Sequence, residues 1–287
     1  MCAKRLMDRI AEKIGIKGQV KPIKSFDVIG DIAIIKIPDE LLDYKQRIAE
    51  ELLKELKNVR VVFRQASEVS GIYRIRKLEW LAGEKRTLTV YKEHGCRFLV
   101  DVDKVYFSPR LSTERLRIAS LVRDGETIIN MFAGVGPYSI IIAKKKPNVF
   151  IYSIDLNPIA VKLHVENCKL NKVDDRIKVI LGDAREILKK ELVGVADRIL
   201  MPLPEIALDS LDSALSGLKR KGVIHVYIHV PYEKREVEAL EKASQIVKRK
   251  LEELGVTINS ISTRRVREVK TRELQVCVDV SVMKKYN

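Results

Sequence analysis

Asn130 to Ser139, NMFAGVGPYS, closes a β-branched run and opens a second apolar stretch, so Gly134 and Gly136 fall where a strand hands over to a helix. Such a turn aims backbone N–H groups and a helix N-terminus at a polar ligand. Asp155 ends the next β-branched run, 21 residues after Gly134, where a carboxylate can accept both hydroxyls of a ribose. Asp183 ends the run after that, in LGDARE. Each has a plainer alternative: glycine serves any tight turn, and either aspartate could simply cap a helix. Three ligand-type residues at successive strand ends weigh more than any one, because the carboxyl edge of a parallel sheet is where such sheets bind ligands. A nicotinamide dinucleotide fingerprint needs a third glycine where Ser139 stands. The expected cofactor is therefore S-adenosylmethionine, held by Asn130, Phe132, Ala133, Gly134, Val135, Gly136, Asp155, Leu156, Asp183, Ala184 and Pro202.

Positioning these residues requires a doubly wound sheet. From about residue 123, β-branched runs at 127–132, 149–155, 177–183, 197–203 and 222–230 alternate with helical patterns at 137–146, 158–171, 184–191, 205–217 and 233–254, the rhythm of a parallel sheet covered by helices. Strand-like runs at 256–263 and 273–282, joined by a basic segment, end the chain as an expected antiparallel hairpin. By fold analogy, that ending suits methyltransferases better than nicotinamide enzymes. Upstream, 25–105 reads as a small α+β domain, with strands at 27–37, 59–65, 71–81, 86–95 and 96–105 and a helix at 41–56. A strand over 71–81 would put Arg74 and Arg76 on one face, and Trp80, alternating with Leu78, in the core. Pro109 and Ser112 announce a connecting helix with Ser112 as its cap. The expected division is a basic segment 1–24, an α+β domain 25–105, a connector 106–122 and a cofactor domain 123–287.

A formal net charge of +15 and a pI near 9.6 favour a polyanionic partner, nucleic acid or an anionic membrane face. Seven Lys/Arg against two acids occupy 1–24, and Arg264, Arg265, Arg267, Lys270 and Arg272 crowd a second stretch. The plain alternative is a solvated surface, and scarce Gln beside abundant Lys and Glu leans towards a thermophile. Cys2, Cys96, Cys168 and Cys277 are far apart, without a CxxC pair; a reducing cytoplasm is expected, with no disulfide framework and no structural metal. The first residues lack the apolar core of a signal peptide. The uncharged run from Thr127 to Ala143 is short for a membrane span and is broken by Gly134, Gly136 and Pro137.

Four blocks, YFSPRLSTERLRIA (106–119), NMFAGVGPYSI (130–140), YSIDLNPIAVKLHVENCKLNKV (152–173) and ILGDAREI (180–187), resemble the archaeal and eukaryotic tRNA (guanine-37, N1)-methyltransferase family. Its sister, the wybutosine-pathway aminocarboxypropyltransferase, shares most of them. The resemblance runs from about residue 25 to the C-terminus, with FSPRLSTER the most specific block. It implies a class I S-adenosylmethionine methyltransferase: a Rossmann-like sheet with a C-terminal antiparallel hairpin, plus a small N-terminal α+β domain. It further implies Glu114 as general base for guanine N1 and Arg74 as the cation that stabilises charge on O6. Arg76 is kept open as the alternative arginine, and Arg110 would hold the phosphate backbone or the active-site loop. Substrate contacts are expected from Arg76, Tyr138, Pro204, Arg264, Arg265 and Arg267, the partner being the anticodon loop of a tRNA. A monomer is expected.

Two departures bear on this. Pro202 stands in MPLPE where the family has asparagine, and proline offers neither a side-chain hydrogen bond nor an N–H. Asn130 replaces the commoner acid at the end of the first strand, keeping an acceptor without its charge. The segment before residue 25 is short beside the tRNA-inspecting domain of some members, which implies a smaller reading of the tRNA body. Aminocarboxypropyl transfer or carbon methylation on a wybutosine precursor, a non-catalytic tRNA-binding module and a nicotinamide oxidoreductase stay open on the sequence.

Overall fold

The computed structural model describes residues 3–16 and 26–285, which form two compact units, Met1–Pro109 and Arg110–Asn287. The first unit contains α1 (Ala3–Lys13), β1 (Phe26–Ile29), β2 (Ile32–Ile35), α2 (Lys45–Glu55), β3 (Val61–Gln65), β4 (Leu78–Gly83), β5 (Leu88–Glu93) and β6 (Cys96–Asp101). Strands β1 to β4 make one sheet in that order, with a parallel β2–β3 pair and antiparallel neighbours, while β5 and β6 form a separate hairpin.

Three expectations are corrected in this unit. The basic N-terminal segment contains a helix. Leu6, Met7 and Ile10 recur on one face of α1 and are buried against Ile48 and Leu52 of α2 and Ile35 and Leu81 of the sheet. Arg9 and Lys13 lie outside that stripe and pair with Glu55 at 3.0 and 2.7 Å, so charge concealed an amphipathic helix. Residues 71–77 lie outside any strand, with a turn at 71–74. Ser70 and Ile75 exchange backbone hydrogen bonds of 3.0 and 3.1 Å across it, and Gly71 and Arg74 take φ of +74° and +54°. A left-handed residue breaks the extended alternation, so Arg74 and Arg76 do not share a strand face. Trp80 is 36% exposed; its indole donates to Glu84 O, the Lys85 ammonium lies over its ring, and Leu81 takes the core position beside it.

The second unit contains α3 (Ser112–Leu121), β7 (Thr127–Asn130), α4 (Pro137–Lys145), β8 (Phe150–Asp155), α5 (Pro158–Asn171), β9 (Ile177–Leu181), α6 (Ala184–Lys190), β10 (Ala196–Met201), α7 (Leu211–Gly217), β11 (Leu218–Pro231), α8 (Glu236–Glu253), β12 (Thr257–Lys270) and β13 (Glu273–Met283). Its seven strands run β12-β13-β11-β10-β7-β8-β9. Neighbours from β11 to β9 are parallel and the terminal hairpin is antiparallel, as expected. The chain leaves β7 outward in one direction through β8 and β9 and in the other through β10 and β11, so the switch of direction lies at the carboxyl ends of β7 and β10. Ala239, Ala243, Val247 and Leu251 of α8 recur every fourth residue and pack on Val276, Val278 and Val280 of β13.

Two further expectations change. The basic segment does not join the last two strands: Arg264, Arg265, Arg267 and Lys270 lie within β12, and the connection is only residues 271–272, with Arg272 at φ +60°. An outermost strand tolerates charged side chains because one side meets water. The α3 cap position belongs to Leu111, with Ser112 the first helical residue, because a 3₁₀ turn, Pro109–Leu111, leads directly into the helix.

Candidate active site

The glycine turn is a bonded assembly. Gly134 N–H donates to Asp155 Oδ2 at 2.6 Å and Asn157 N–H to Oδ1 at 2.9 Å, fixing the Asp155 carboxylate between turn and helix. Burial pushes that carboxyl above its ordinary range against these backbone donors. Asn157, rather than Asp155, caps α5 by accepting from Ile159 and Ala160 N–H. From α5, Asn167 Nδ2 donates to Val135 O at 3.0 Å. The His164 ring lies fully buried against Gly136, where an added Cβ would meet Nε2 at 2.2 Å. Gly136 also holds φ +90°, so the turn requires glycine there twice over. Burial drives the His164 pKa down to about 3 and keeps the ring neutral.

Asn130, wholly buried at the end of β7, donates from Nδ2 to Ser139 Oγ at 3.1 Å, while its Oδ1 has no partner in the protein. A buried amide oxygen without a donor marks a place where a ligand can supply one. Asp183 caps α6 through Arg185 N–H at 2.9 Å, and the Arg185 guanidinium holds its carboxyl below the usual range. Pro202 and Pro204 follow β10 and are half-buried; Phe132 and Gly134 are also half-buried, Leu156 is exposed, and Ala133, Val135 and Ala184 are buried.

Glu114 lies in the first turn of α3 and is 6% exposed. Arg117 grips it with two bonds of 2.8 and 2.7 Å, and the Tyr227 hydroxyl donates to Oε1 at 2.7 Å. Tyr138 is buried edge-on against the Tyr227 ring.

A family model described as the TRM5/TYW2 methyltransferase domain matches residues 89–258, and one described as the TYW2 N-terminal domain matches 7–87. This chain belongs to the TRM5/TYW2 methyltransferase family. The likeness thus reaches upstream of residue 25 and includes most of α1. Among TRM5/TYW2 relatives, the tRNA (guanine(37)-N(1))-methyltransferase Trm5b of Pyrococcus abyssi is 42% identical over 90% of this chain and 74% of its own. The tRNA 4-demethylwyosine(37)-methyltransferase Taw21 of Saccharolobus solfataricus is 42% identical over 74% of this chain and 80% of its own. The solved complex of aTrm5 with tRNALeu matches with a TM-score of 0.78 at 36% identity, covering 96% of this chain and 77% of that one.

The remaining predicted residues of this TRM5/TYW2 chain are spread over both units. In the first, the Arg74 guanidinium lies 4.6 Å from the centre of the Tyr106 ring, a cation–π contact, and Arg76 donates to Gln65 Oε1 at 3.3 Å. In the second, Arg110 is exposed on the turn before α3 and Arg264 is exposed on β12. Arg265 pairs with Glu236 at 2.9 Å, and Arg267 donates to Gln275 at 2.7 Å. Sequence reasoning overlooked His164 and Asn167 as supports of the glycine turn. Their signal was present: both are polar residues on the buried stripe of α5, in line with Ala160 and Leu163.

Proposed function

We propose that this chain, as a cytoplasmic enzyme, methylates N1 of guanosine at position 37 in a tRNA anticodon loop, with S-adenosylmethionine as methyl donor. The observation that carries this reading is the carboxyl edge of the β7–β10 sheet, where the glycine turn, the Asp155 carboxylate bonded to it and the unpartnered Asn130 oxygen occur in a family whose Pyrococcus abyssi member bears that activity. The acceptor set suits the cofactor. Asn130 Oδ1 can accept from an ammonium group, Asp155 from ribose hydroxyls, and Asp183 from an adenine amino group. When bound, S-adenosylmethionine supplies a sulfonium methyl open to attack by a nitrogen lone pair.

Guanine N1 carries a proton at neutral pH, so its lone pair becomes available only as that proton leaves. Glu114 is the acceptor: the N1–H bond breaks towards a carboxylate oxygen while the N1 lone pair forms the bond to the methyl carbon. Charge moving onto O6 is met by the Arg74 guanidinium, whose stacking on Tyr106 limits its freedom. Arg76 and Pro204 are further substrate contacts, and Arg110, Arg264, Arg265 and Arg267 engage RNA phosphates.

A second reading is favoured by one residue and one relative. Pro202 removes the asparagine contact to guanine, and the Saccharolobus solfataricus relative, a 4-demethylwyosine methyltransferase, is matched over 80% of its own length. On that reading the acceptor is a carbon of the tricyclic base at the same tRNA position. The experiment that separates them offers three tRNAs with S-adenosylmethionine: a transcript with guanosine at position 37, one with adenosine there, and one carrying 4-demethylwyosine. Nucleoside mass spectrometry should find N1-methylguanosine from the first alone, and a Glu114→Gln protein should slow its formation about 100-fold or more. Product from the third tRNA only would replace the first reading with the second.

A further inference from the structure

Glu114 is the end of a chain of charges that crosses the second unit, with Glu114, His225 and Arg198 buried and Arg117, Asp279 and Glu126 half-buried. Arg117, having gripped Glu114 along one edge, turns its other edge to Asp279, with bonds of 2.6 Å to Oδ2 and 3.3 Å to Oδ1. Asp279 Oδ1 lies 2.5 Å from His225 Nδ1, and His225 Nε2 lies 2.7 Å from an Arg198 nitrogen. Arg198 in turn forks onto Glu126 at 2.7 and 2.9 Å. His225 and Arg198 are 1% and 5% exposed.

Donor and acceptor chemistry fixes the protons in this chain. A guanidinium can only donate, so His225 Nε2 facing Arg198 must be bare. The proton therefore sits on Nδ1, directed at the Asp279 carboxylate, and His225 is neutral. Burial and the two guanidiniums push its pKa below the ordinary value in the same direction. Along this bonded chain, carboxylates and guanidiniums therefore alternate, with the neutral imidazole between Asp279 and Arg198. Glu114 spends three of its roughly four lone-pair directions on Arg117 and Tyr227, which leaves one for an arriving proton.

We propose that Arg117, Tyr227, Asp279 and His225 are positioning residues for Glu114, fixing its carboxylate so that one lone pair stays open to a proton arriving from the substrate. This rests on the reading of Glu114 as the base. The ionisable groups around Glu114 are Arg115 and Arg117 on α3, Tyr138 on α4, Tyr227 on β11, and Cys277 and Asp279 on β13. His225, Cys277 and Asp279 are also close enough together to suggest a metal site. Both ring nitrogens and both Asp279 oxygens already have partners, however, and Arg117 and Arg198 would repel a cation there.

The test is a double-mutant cycle in the full chain, read as the single-turnover rate at saturating tRNA and S-adenosylmethionine on whichever tRNA supports turnover. Asp279→Asn keeps the shape and removes the charge. It should slow methyl transfer about 10- to 100-fold, leave KM for both substrates within about twofold, and cost nothing further once Glu114 is already Gln. Tyr227→Phe, which keeps the ring and removes one donor, should behave the same way with a smaller loss and covers the case in which Asp279→Asn fails to fold. Equal losses with and without the Glu114 carboxylate would make the chain merely structural and overturn the proposal, as would wild-type rates in both variants. A Glu114→Gln protein turning over at full speed is the separate outcome in which the base assignment itself falls and takes this proposal with it.

Discussion

Gly136 and His164 form a pair that neither residue type would suggest alone. The helix N-terminus needs a left-handed residue at position 136, and the ring packed against it excludes any side chain. Gly136→Ala should therefore cost about 1–3 kcal/mol from backbone strain alone, read as a lower Tm, and should weaken S-adenosylmethionine binding in calorimetry. Asp279 gives a prediction of opposite origin. Burial would raise its pKa, but His225 and Arg117 outweigh burial and hold it well below the ordinary carboxylate value. Its stabilisation is thus complete above the unfolded value of about 4 and is lost as pH falls below that towards the folded pKa. Urea denaturation of an Asp279→Asn protein should show a shallower loss of stability below about pH 4 than the parent. The sequence displayed the glycine turn and Asp155 openly, because a single short loop and one strand end carry them. It could not display the charge chain, whose members come from α3, the loop before β7, β10, β11 and β13 and meet across separations of up to 162 residues.

Helices and strands were legible where apolar periodicity was uninterrupted. β7, β8 and β10 are largely buried strands, and each ends within a few residues of where the pattern stops. Where charge or left-handed backbone intruded, the pattern misled. α1 was concealed by basic residues on its outer face, the second half of β12 by arginines on an outermost strand, and the 71–74 turn by an alternation that its φ values interrupt. The burial of α1 makes it a structural element of the first unit rather than a solvated tail. Ile10→Ala, at a position 1% exposed, should destabilise that unit by about 2–5 kcal/mol. A thermal melt would show it, and an unchanged melting curve would mean that α1 does not hold the unit together.

Across the whole molecule, a charge of +15 would draw in a polyanion such as RNA before any base is read. Arg264→Ala and Arg265→Ala should each lower the slope of log affinity against log salt by roughly 0.7–0.9 if each neutralises one phosphate, measured by filter binding with intact tRNA. A slope unchanged in both would remove β12 from the RNA interface. No described helix is long and apolar enough to cross a membrane. The same 14-residue strand has another effect, independent of RNA. β12 ends the sheet with a long row of backbone groups open to pairing with any other extended chain. Its arginines and lysine place like charges opposite each other whenever two copies approach edge to edge. Replacing them with threonines would preserve the strand while removing that repulsion, so the variant should associate edge to edge at concentrations where the parent stays dispersed.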